Sequence, residues 1–188
     1  MHELYLFEHL NEFSEELFER AIHIFPKERR EKALSYKQPL DRKCCAISYL
    51  LLLYGLREHS GIKAPEFHYG ANGKPYLLNY PNVYFNISHC RHACVCAVSN
   101  KEIGVDVQDV RPYRASTARK VCCQTELSLL EDSPDKARTF AKIWCMKEAY
   151  VKMTGDGITV PLNEIDTSKL AIEVTEYENF FIAICEKT

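Results

Sequence analysis

The sequence predicts an α+β fold built from two similar halves with a ligand cleft between them. Hydrophobic residues make up 46% of the 188 positions, which is enough for a packed core. The order strand, long helix, glycine, strand occurs twice, which indicates an internal duplication with halves at residues 1–100 and 101–188. The matching pairs are strands at 4–8 and 104–107, helices ending at Gly61 and Gly157, and strands at 93–98 and 180–184.

The composition excludes several classes of protein. A net charge of −2 is not that of a globally basic nucleic-acid-binding protein. No apolar run approaches the ~18–20 residues of a membrane-spanning helix, and the N-terminus MHELYLFEHL lacks the basic and apolar regions of a signal peptide. We therefore expect a cytoplasmic protein without nucleic-acid or membrane partners. We also expect a monomer, because one chain already contains both halves.

The nine cysteines predict reduced thiols rather than a disulfide framework. Their number is odd, they form no CxxC pair, and the cytoplasm keeps thiols reduced. The segment from His89 to Cys94 looks like a metal-binding cluster. A structural zinc site, however, requires a second, separated pair of ligands, and the sequence shows none.

The first sixty residues predict one strand followed by helices. Residues 4–8 form a short candidate strand, and Ser14 is a predicted N-cap for a helix that runs to Phe25. The most hydrophobic helix of the chain covers residues 42–57 and ends at Gly61, with Arg42 and Lys43 at its start.

A basic run opens the helix between these two. Pro26 suits an early helical position, and four cations follow it within seven residues: Lys27, Arg29, Arg30 and Lys32. A solvated helix face explains such a run. The alternative is a phosphate-binding surface formed by the cations that point the same way.

Polar residues at the end of a strand indicate an anion-binding site. The strand predicted at 83–89 carries three polar residues toward its end, Asn86, Ser88 and His89, and a second strand follows at 93–99. His89 could donate a hydrogen bond to a phosphate, although a histidine with a purely structural role is the alternative. Upstream, the GANGKP loop at 70–75 permits close backbone approach to a ligand, with a plain hairpin turn as its alternative.

The strand predicted at 103–108 contains a carboxylate that needs a partner. Asp106 stands between two valines that should face the core. An unpaired buried carboxylate costs several kcal/mol, so a cation or a hydrogen-bond donor should meet it. Asp106 and Glu148 are therefore candidates for one divalent-metal site.

A helix over residues 140–154 is predicted to carry a large aromatic, a carboxylate and two ammonium groups along one side: Trp144, Lys147, Glu148 and Lys152. Gly155 and Gly157 end this helix, and a short apolar run follows at 158–162. The alternative is an amphipathic helix on which Glu148 and Lys152 form a solvated pair worth only ~0.3–0.5 kcal/mol.

The region before this helix is basic. Residues 109–124 are predicted to be irregular and contain Arg111, Arg114, Arg119 and Lys120. Thr125 is the predicted cap of a helix at 126–131.

Four motifs in order resemble those of the 4′-phosphopantetheinyl transferases of the surfactin-synthetase-activating (Sfp) type: GKP, FNISH, IGVDV and W-x-x-K-E-A-x-x-K-x-x-G-x-G. The resemblance covers about residues 29–162. It implies transfer of the phosphopantetheine arm of coenzyme A to a serine of an apo acyl or peptidyl carrier protein, releasing adenosine 3′,5′-bisphosphate. It also implies Mg²⁺ as cofactor, with Mn²⁺ as an alternative ion, and a pseudodimer with the active site in the cleft between its halves.

The same resemblance implies the residues of the reaction. Asp106 and Glu148 match the two metal-ligating carboxylates. Gln108 stands where the best-known members have a glutamate, and its neutral carbonyl can reach the ion directly or through water, which makes it a third candidate ligand. Lys152 matches the lysine that stabilises charge on the leaving phosphate. Glu148, directly or through a bound water, is the candidate acceptor of the serine proton.

The resemblance also implies residues that bind coenzyme A. The residues that match the family's phosphate contacts are Ser88, His89, Lys147 and Lys152. The residues that match the loop beside the adenine are Gly73, Lys74 and Pro75. Arg29 and Lys32 match the cations that hold the 3′-phosphate, with Arg42 or Lys43 as alternatives.

The basic stretch at 111–120 is a candidate docking surface, because acyl carrier proteins are acidic. The alternative function is a catalytically inactive module of the same fold that binds coenzyme A or a carrier protein, and the departure at Gln108 is the feature that favours it.

Overall fold

The predicted α+β class is confirmed by the structure, a computed structural model that describes residues 2–70, 72–155, 157 and 160–188. The helices are α1 (Glu15–Ile24), α2 (Lys27–Ser35), α3 (Pro39–Ser60), α4 (Ala115–Val121), α5 (Gln124–Asp132) and α6 (Lys136–Thr154). The strands are β1 (Glu3–Phe7), β2 (Phe67–Tyr69), β3 (Pro75–Leu77), β4 (Tyr84–His89), β5 (Cys94–Ser99), β6 (Ile103–Asp109), β7 (Ile172–Glu176) and β8 (Phe180–Glu186).

Two three-stranded antiparallel sheets form the centre of the molecule. Their strand orders are β1-β5-β4 and β6-β8-β7, so each sheet places the last of its strands in the middle. In each, a helical region separates the first strand from the hairpin formed by the other two. The strands β2 and β3 pair separately as a small hairpin.

Side chains of β5 alternate between two cores, and one of these cores lies between the two sheets. Cys94, Cys96 and Val98 face the core beneath α3, whereas Val95 and Ala97 join a core with residues of β6 and β8. The helix α6 covers the other face of β6 and β8 and packs Cys145 and Ala149 there. Helices α4 and α5 in turn pack on α6. The result is a layered core with a long helix on each outer side.

Local chemistry explains where the predicted helices begin and end. The Ser14 side chain accepts a hydrogen bond from the Leu17 amide, which confirms the predicted cap of α1. Gly61 adopts the left-handed conformation that ends α3, with φ of 68°. Asp135 caps α6 by accepting from the Arg138 amide, so this helix begins before the predicted residue 140.

Two expectations about secondary structure were wrong, and one strand was missed. The basic region predicted to be irregular contains α4, which buries Ala118 and Val121. The N-cap of α5 is Cys123 rather than Thr125. Cys123 and Glu126 form a capping box, in which the Cys123 amide donates to Glu126 Oε2 at 2.9 Å. The edge strand β7 was not predicted.

Part of the predicted exit from the last helix lies outside the described residues, namely Asp156 and the first two positions of the apolar run at 158–162. The same holds for Ala71 in the GANGKP loop. In the described part of the chain, no helix combines the length and the hydropathy that crossing a bilayer requires.

A close backbone contact joins β6 to α6. A Cβ atom added at Gly104 would collide with the carbonyl oxygen of Ala149 and the amide nitrogen of Met153. Because both obstacles are backbone atoms, no side-chain rotation can relieve the clash. Only glycine therefore permits this separation of strand and helix.

We expect Gly104→Ala to lower the free energy of unfolding by at least about 3 kcal/mol, because α6 would have to move away from β6. Urea denaturation measures this change. Gly70→Ala is the matched control, since the nearest atom to its Cβ would be at an ordinary 3.7 Å. Equal stability of the two variants would show that the close contact does not constrain the fold.

Candidate active site

A cavity of about 370 Å³, here called the carboxylate cavity, forms where the ends of β4 and β6 meet α6. It brings together six of the predicted site residues from three elements. Its lining comprises Ile87, Ser88 and His89 of β4, Asp106, Val107 and Gln108 of β6, and Trp144, Glu148 and Lys152 of α6. The predicted proximity of Asp106, Glu148 and Lys152 is thus present in the structure.

A hydrogen-bonded network fixes one oxygen of Asp106. Lys152 Nζ lies 2.6 Å from Asp106 Oδ1 and also donates to Ser88 Oγ at 2.9 Å. The Ser88 hydroxyl donates to the same Oδ1 at 2.8 Å. This network holds the Lys152 ammonium at the cavity wall and meets the expectation that Asp106 has a cationic partner.

The other oxygen of Asp106 is available to a ligand. Asp106 is buried, and its Oδ2 has no hydrogen-bond partner among the described residues. Glu148 is half-buried in the same cavity, where burial raises its pKa, Asp106 raises it further and Lys152 opposes the shift. Two neighbouring carboxylates and one unsatisfied oxygen favour a divalent cation, and the Gln108 side chain adds an uncharged oxygen to the donor set. The residues therefore fit a Mg²⁺ ion.

His89 lies at the exposed rim of the carboxylate cavity. Loss of hydration lowers its pKa, and the nearby Lys152 ammonium lowers it further. The imidazole is therefore neutral at neutral pH, and it meets an anion as an N–H donor rather than as a positive charge.

A second cavity of about 590 Å³, here called the aromatic cavity, adjoins the first. Ile87 lines both, so the two cavities are neighbours along β4. Four predicted site residues line it: Arg29, Lys32, Gly73 and Pro75. Its apolar walls come from Tyr49, Phe67, Tyr69 and Phe85. The combination suits a planar ring system that carries a phosphate.

Arg29 is oriented for anion binding. Its guanidinium stacks over the Tyr49 ring at 4.8 Å, and Nη2 donates to the Cys45 carbonyl at 2.8 Å. Its Nε is buried and has no hydrogen-bond partner within the described part of the chain. A planar guanidinium fixed at one end offers its remaining N–H groups to a phosphate.

Three predicted site residues line neither cavity. Lys74 donates to the Met153 carbonyl at 2.8 Å, at the end of α6, and Arg42 donates to the Tyr36 carbonyl at 2.7 Å. Lys147 is 0% exposed, which corrects the prediction that it binds phosphate. Helical periodicity alone placed it beside Glu148, but it points into the protein instead.

The Lys147 ammonium is part of a buried network behind the active site. It lies 2.7 Å from Glu126 Oε2 and donates to the carbonyls of Leu162 and Ile165. Glu126 in turn accepts from the amide and hydroxyl of Thr167. The pair therefore ties the segment 162–167 to α5 and α6.

The sequence analysis missed the aromatic walls of the aromatic cavity, which shape the site without carrying charge: Tyr49, Phe67, Tyr69 and Phe85. Asn86 accepts from the Val105 amide at 3.1 Å and so joins β4 to β6 beside the carboxylate cavity. The aromatic walls come from elements far apart in the chain. Asn86 itself was predicted at the site together with Ser88 and His89, and it lines the aromatic cavity.

We expect Lys147→Met to lower the free energy of unfolding by about 3–5 kcal/mol, because it leaves Glu126 charged, buried and unpaired. Chemical denaturation measures the loss. The control is Lys142→Met on the same helix, which removes an exposed pair with Glu176 and should cost less than about 1 kcal/mol. If Lys147 bound phosphate instead, its substitution would weaken coenzyme A binding without this penalty.

Comparisons with known proteins cover nearly all of the chain. The family described as "4′-phosphopantetheinyl transferase superfamily" matches residues 102–184, and the one described as "4′-phosphopantetheinyl transferase, N-terminal" matches residues 12–101. The two matches meet between residues 101 and 102.

Curated relatives bear the same name. The chain is 29% identical over 174 residues to a 4′-phosphopantetheinyl transferase of Bacillus subtilis, covering 87% of this chain and 78% of the relative. It is 27% identical over 154 residues to the 4′-phosphopantetheinyl transferase Sfp of Bacillus subtilis strain 168, covering 80% and 69%. It is 37% identical over 119 residues to the 4′-phosphopantetheinyl transferase HetI of a Nostoc species, covering 59% and 48%.

Proposed function

The chain belongs to the 4′-phosphopantetheinyl transferase superfamily, and on that premise we propose that it transfers the phosphopantetheine group of coenzyme A to a serine of an apo acyl or peptidyl carrier protein. Adenosine 3′,5′-bisphosphate is the second product. The observation that carries the proposal is the convergence of Asp106, Glu148 and Lys152 on one cavity. Such a site combines charge neutralisation with a proton acceptor, as phosphoryl transfer requires.

The chain acts as a pseudodimer within one polypeptide, with halves at residues 1–100 and 101–188. The equal strand order of the two main sheets supports this division, as does the boundary between the two family matches. Ser88 and His89 come from the first half, and the other polar groups of the carboxylate cavity come from the second. The active site then lies between the halves, and a cytoplasmic monomer suffices for activity.

Coenzyme A spans the two cavities. The aromatic cavity receives the adenine between its aromatic walls, with Gly73 and Pro75 close by, and Arg29 and Lys32 hold the 3′-phosphate. The pyrophosphate extends past Ile87 into the carboxylate cavity, where the His89 N–H and Lys152 meet it. The Ser88 hydroxyl donates to Asp106 and helps to hold Lys152 in place for this contact. The placement assigns each charged part of the ligand to cationic or hydrogen-bond-donating side chains.

Asp106 Oδ2, Glu148 and Gln108 are the groups that would hold Mg²⁺, or Mn²⁺ in its place. When bound, such an ion neutralises negative charge on the phosphates and orients them. Oxygen donors of this kind are those that Mg²⁺ prefers, and two carboxylates suffice when substrate phosphates complete the coordination.

The reaction is an attack by the carrier serine oxygen on the β-phosphorus of coenzyme A. A bond forms between that oxygen and phosphorus, and the bond to the bridging oxygen of the pyrophosphate breaks. Glu148 accepts the serine proton, directly or through a water; a carboxylate that also held the cation would be a weak base, which favours the route through a water. The Lys152 ammonium, held by Asp106 and Ser88, stabilises the negative charge on the leaving phosphate.

An apo acyl carrier protein incubated with this protein, coenzyme A and Mg²⁺ should gain the mass of one phosphopantetheine group. Asp106→Ala and Glu148→Ala should each reduce the rate at least ~100-fold, because each removes a cation ligand and Glu148 also removes the base. Intact-mass spectrometry measures the product. Binding of coenzyme A without any mass gain on several unrelated carriers would favour the inactive binding module instead.

Replacing Gln108 by glutamate should tighten Mg²⁺ binding roughly tenfold, because a third negative charge faces the ion. Trp144 is the only tryptophan and lines the carboxylate cavity, so its fluorescence can follow a Mg²⁺ titration without turnover. Gln124→Glu adds the same charge at an exposed position of α5 and should leave the affinity unchanged. An unaltered Mg²⁺ dissociation constant in Gln108→Glu would mean that this side chain does not reach the ion.

A further inference from the structure

Asp109, the last residue of β6, is a buried carboxylate surrounded by surface cations. It is 0% exposed, and its Oδ1 lies 2.8 Å from His92 Nδ1. Its Oδ2 accepts from the amide and the Nε of Arg91 and from Nη2 of Arg111, each at 3.3 Å. We call Arg91, His92 and Arg111 the Asp109 cluster. The carboxylate thereby joins the turn between β4 and β5 to the segment that leads into α4.

The cluster presents excess positive charge to solvent. The side chains of Arg91, His92 and Arg111 are 62%, 45% and 60% exposed, although each is held at one end by Asp109. Within the cluster two guanidinium groups face one carboxylate, so the cluster itself keeps a net positive charge even when His92 is neutral. Glu8 and Glu12 border Arg91 and His92 on one side only, in a small cavity that Arg111 does not line. Each guanidinium also has N–H groups that these bonds to Asp109 do not use.

The chemistry of this cluster does not suit a metal ion. Ligand atoms of Cys90, His92 and Asp109 do lie within 4.8 Å of one another. Burial and a hydrogen bond to Asp109, however, raise the pKa of Cys90 to about 12, so it remains a thiol. The two guanidinium groups beside Asp109 would also repel a cation. The cluster is therefore suited to an anionic partner.

The cluster flanks the carboxylate cavity without lining it. Arg91 and His92 lie two and three residues after His89 at the end of β4, and Arg111 lies three residues after Gln108 at the end of β6. Neither cavity includes any of the three cationic side chains, so coenzyme A bound in these cavities would leave them available. A protein that delivers a serine to Glu148 must approach over this rim. Further exposed cations follow on and beside α4, namely Arg114, Arg119 and Lys120.

We propose that the Asp109 cluster binds acidic side chains of the carrier protein next to its acceptor serine, and that Asp109 is the positioning residue that orients the cluster. This inference rests on the proposed transferase function and extends it to the protein substrate. Cations held in place lose less conformational entropy on binding than free arginines do, and a fixed pattern of charge sets the orientation in which the serine arrives.

The test is steady-state kinetics with an apo acyl carrier protein that the wild-type protein modifies. Arg91→Gln combined with Arg111→Gln removes the positive charge but retains donors for Asp109. It should raise KM for the carrier roughly tenfold while kcat and the dissociation constant for coenzyme A stay unchanged. Asp109→Asn should raise the same KM, and in the double-glutamine background it should add little. The rise should shrink at about 0.5 M salt, because exposed charges are then screened.

Controls separate docking from general damage. Arg20→Gln combined with Arg57→Gln removes two exposed arginines elsewhere and should leave KM unchanged. If Asp109→Asn does not fold, the double-glutamine variant decides alone. An unchanged carrier KM in that variant overturns the inference while wild-type transfer upholds the proposed function. Failure of the wild-type protein to modify any carrier overturns the proposed function, and the inference with it.

Discussion

The backbone contact between β6 and α6 at Gly104 is the constraint on which the active site depends. Alternate residues of a strand share a face, so the face that meets α6 at Gly104 also carries Asp106 and Gln108 toward that helix. On α6, Glu148 precedes Ala149, whose carbonyl meets Gly104, and Lys152 follows one turn later. Gly104 thus sets the separation between β6 and α6, and with it the distance from Asp106 on the strand to Glu148 and Lys152 on the helix.

Charge on α6 is divided between two environments. Glu148 and Lys152 face a cavity in which one oxygen of Asp106 is bound and the other has no partner among the described residues. Lys147, one residue before Glu148, is neutralised inside the protein by Glu126. Two consecutive residues of the helix therefore have different roles. Lys147 stabilises the segment at 162–167, and Glu148 provides a carboxylate in the cavity whose pKa is raised by burial.

The sequence predicted those features that depend on local spacing. The helix caps at Ser14 and Gly61, the strand with Asp106, and the helix with Glu148 and Lys152 all follow from periodicity and from residues with specific backbone preferences. Burial of Lys147 was not predictable, because its partner Glu126 is distant in the sequence and only packing of α5 on α6 brings them together. The short helix α4 and the edge strand β7 were missed because tertiary contacts, rather than strong local preferences, stabilise them.

The free cysteines packed into the core have a consequence for a protein whose proposed substrate ends in a thiol. An accessible cysteine thiolate would attack a disulfide formed by oxidised coenzyme A, giving a mixed disulfide with the protein and releasing the other thiol. Eight of the nine cysteines are buried, including Cys44 on α3 and Cys94 and Cys96 on β5 beneath it, and Cys123 is the one that is partly exposed. Burial also raises the pKa of Cys145 on the inner face of α6, which keeps it protonated and unreactive. Cysteines near the candidate active site are therefore compatible with a substrate that carries a thiol, because dense packing keeps the coenzyme A sulfur from reaching them.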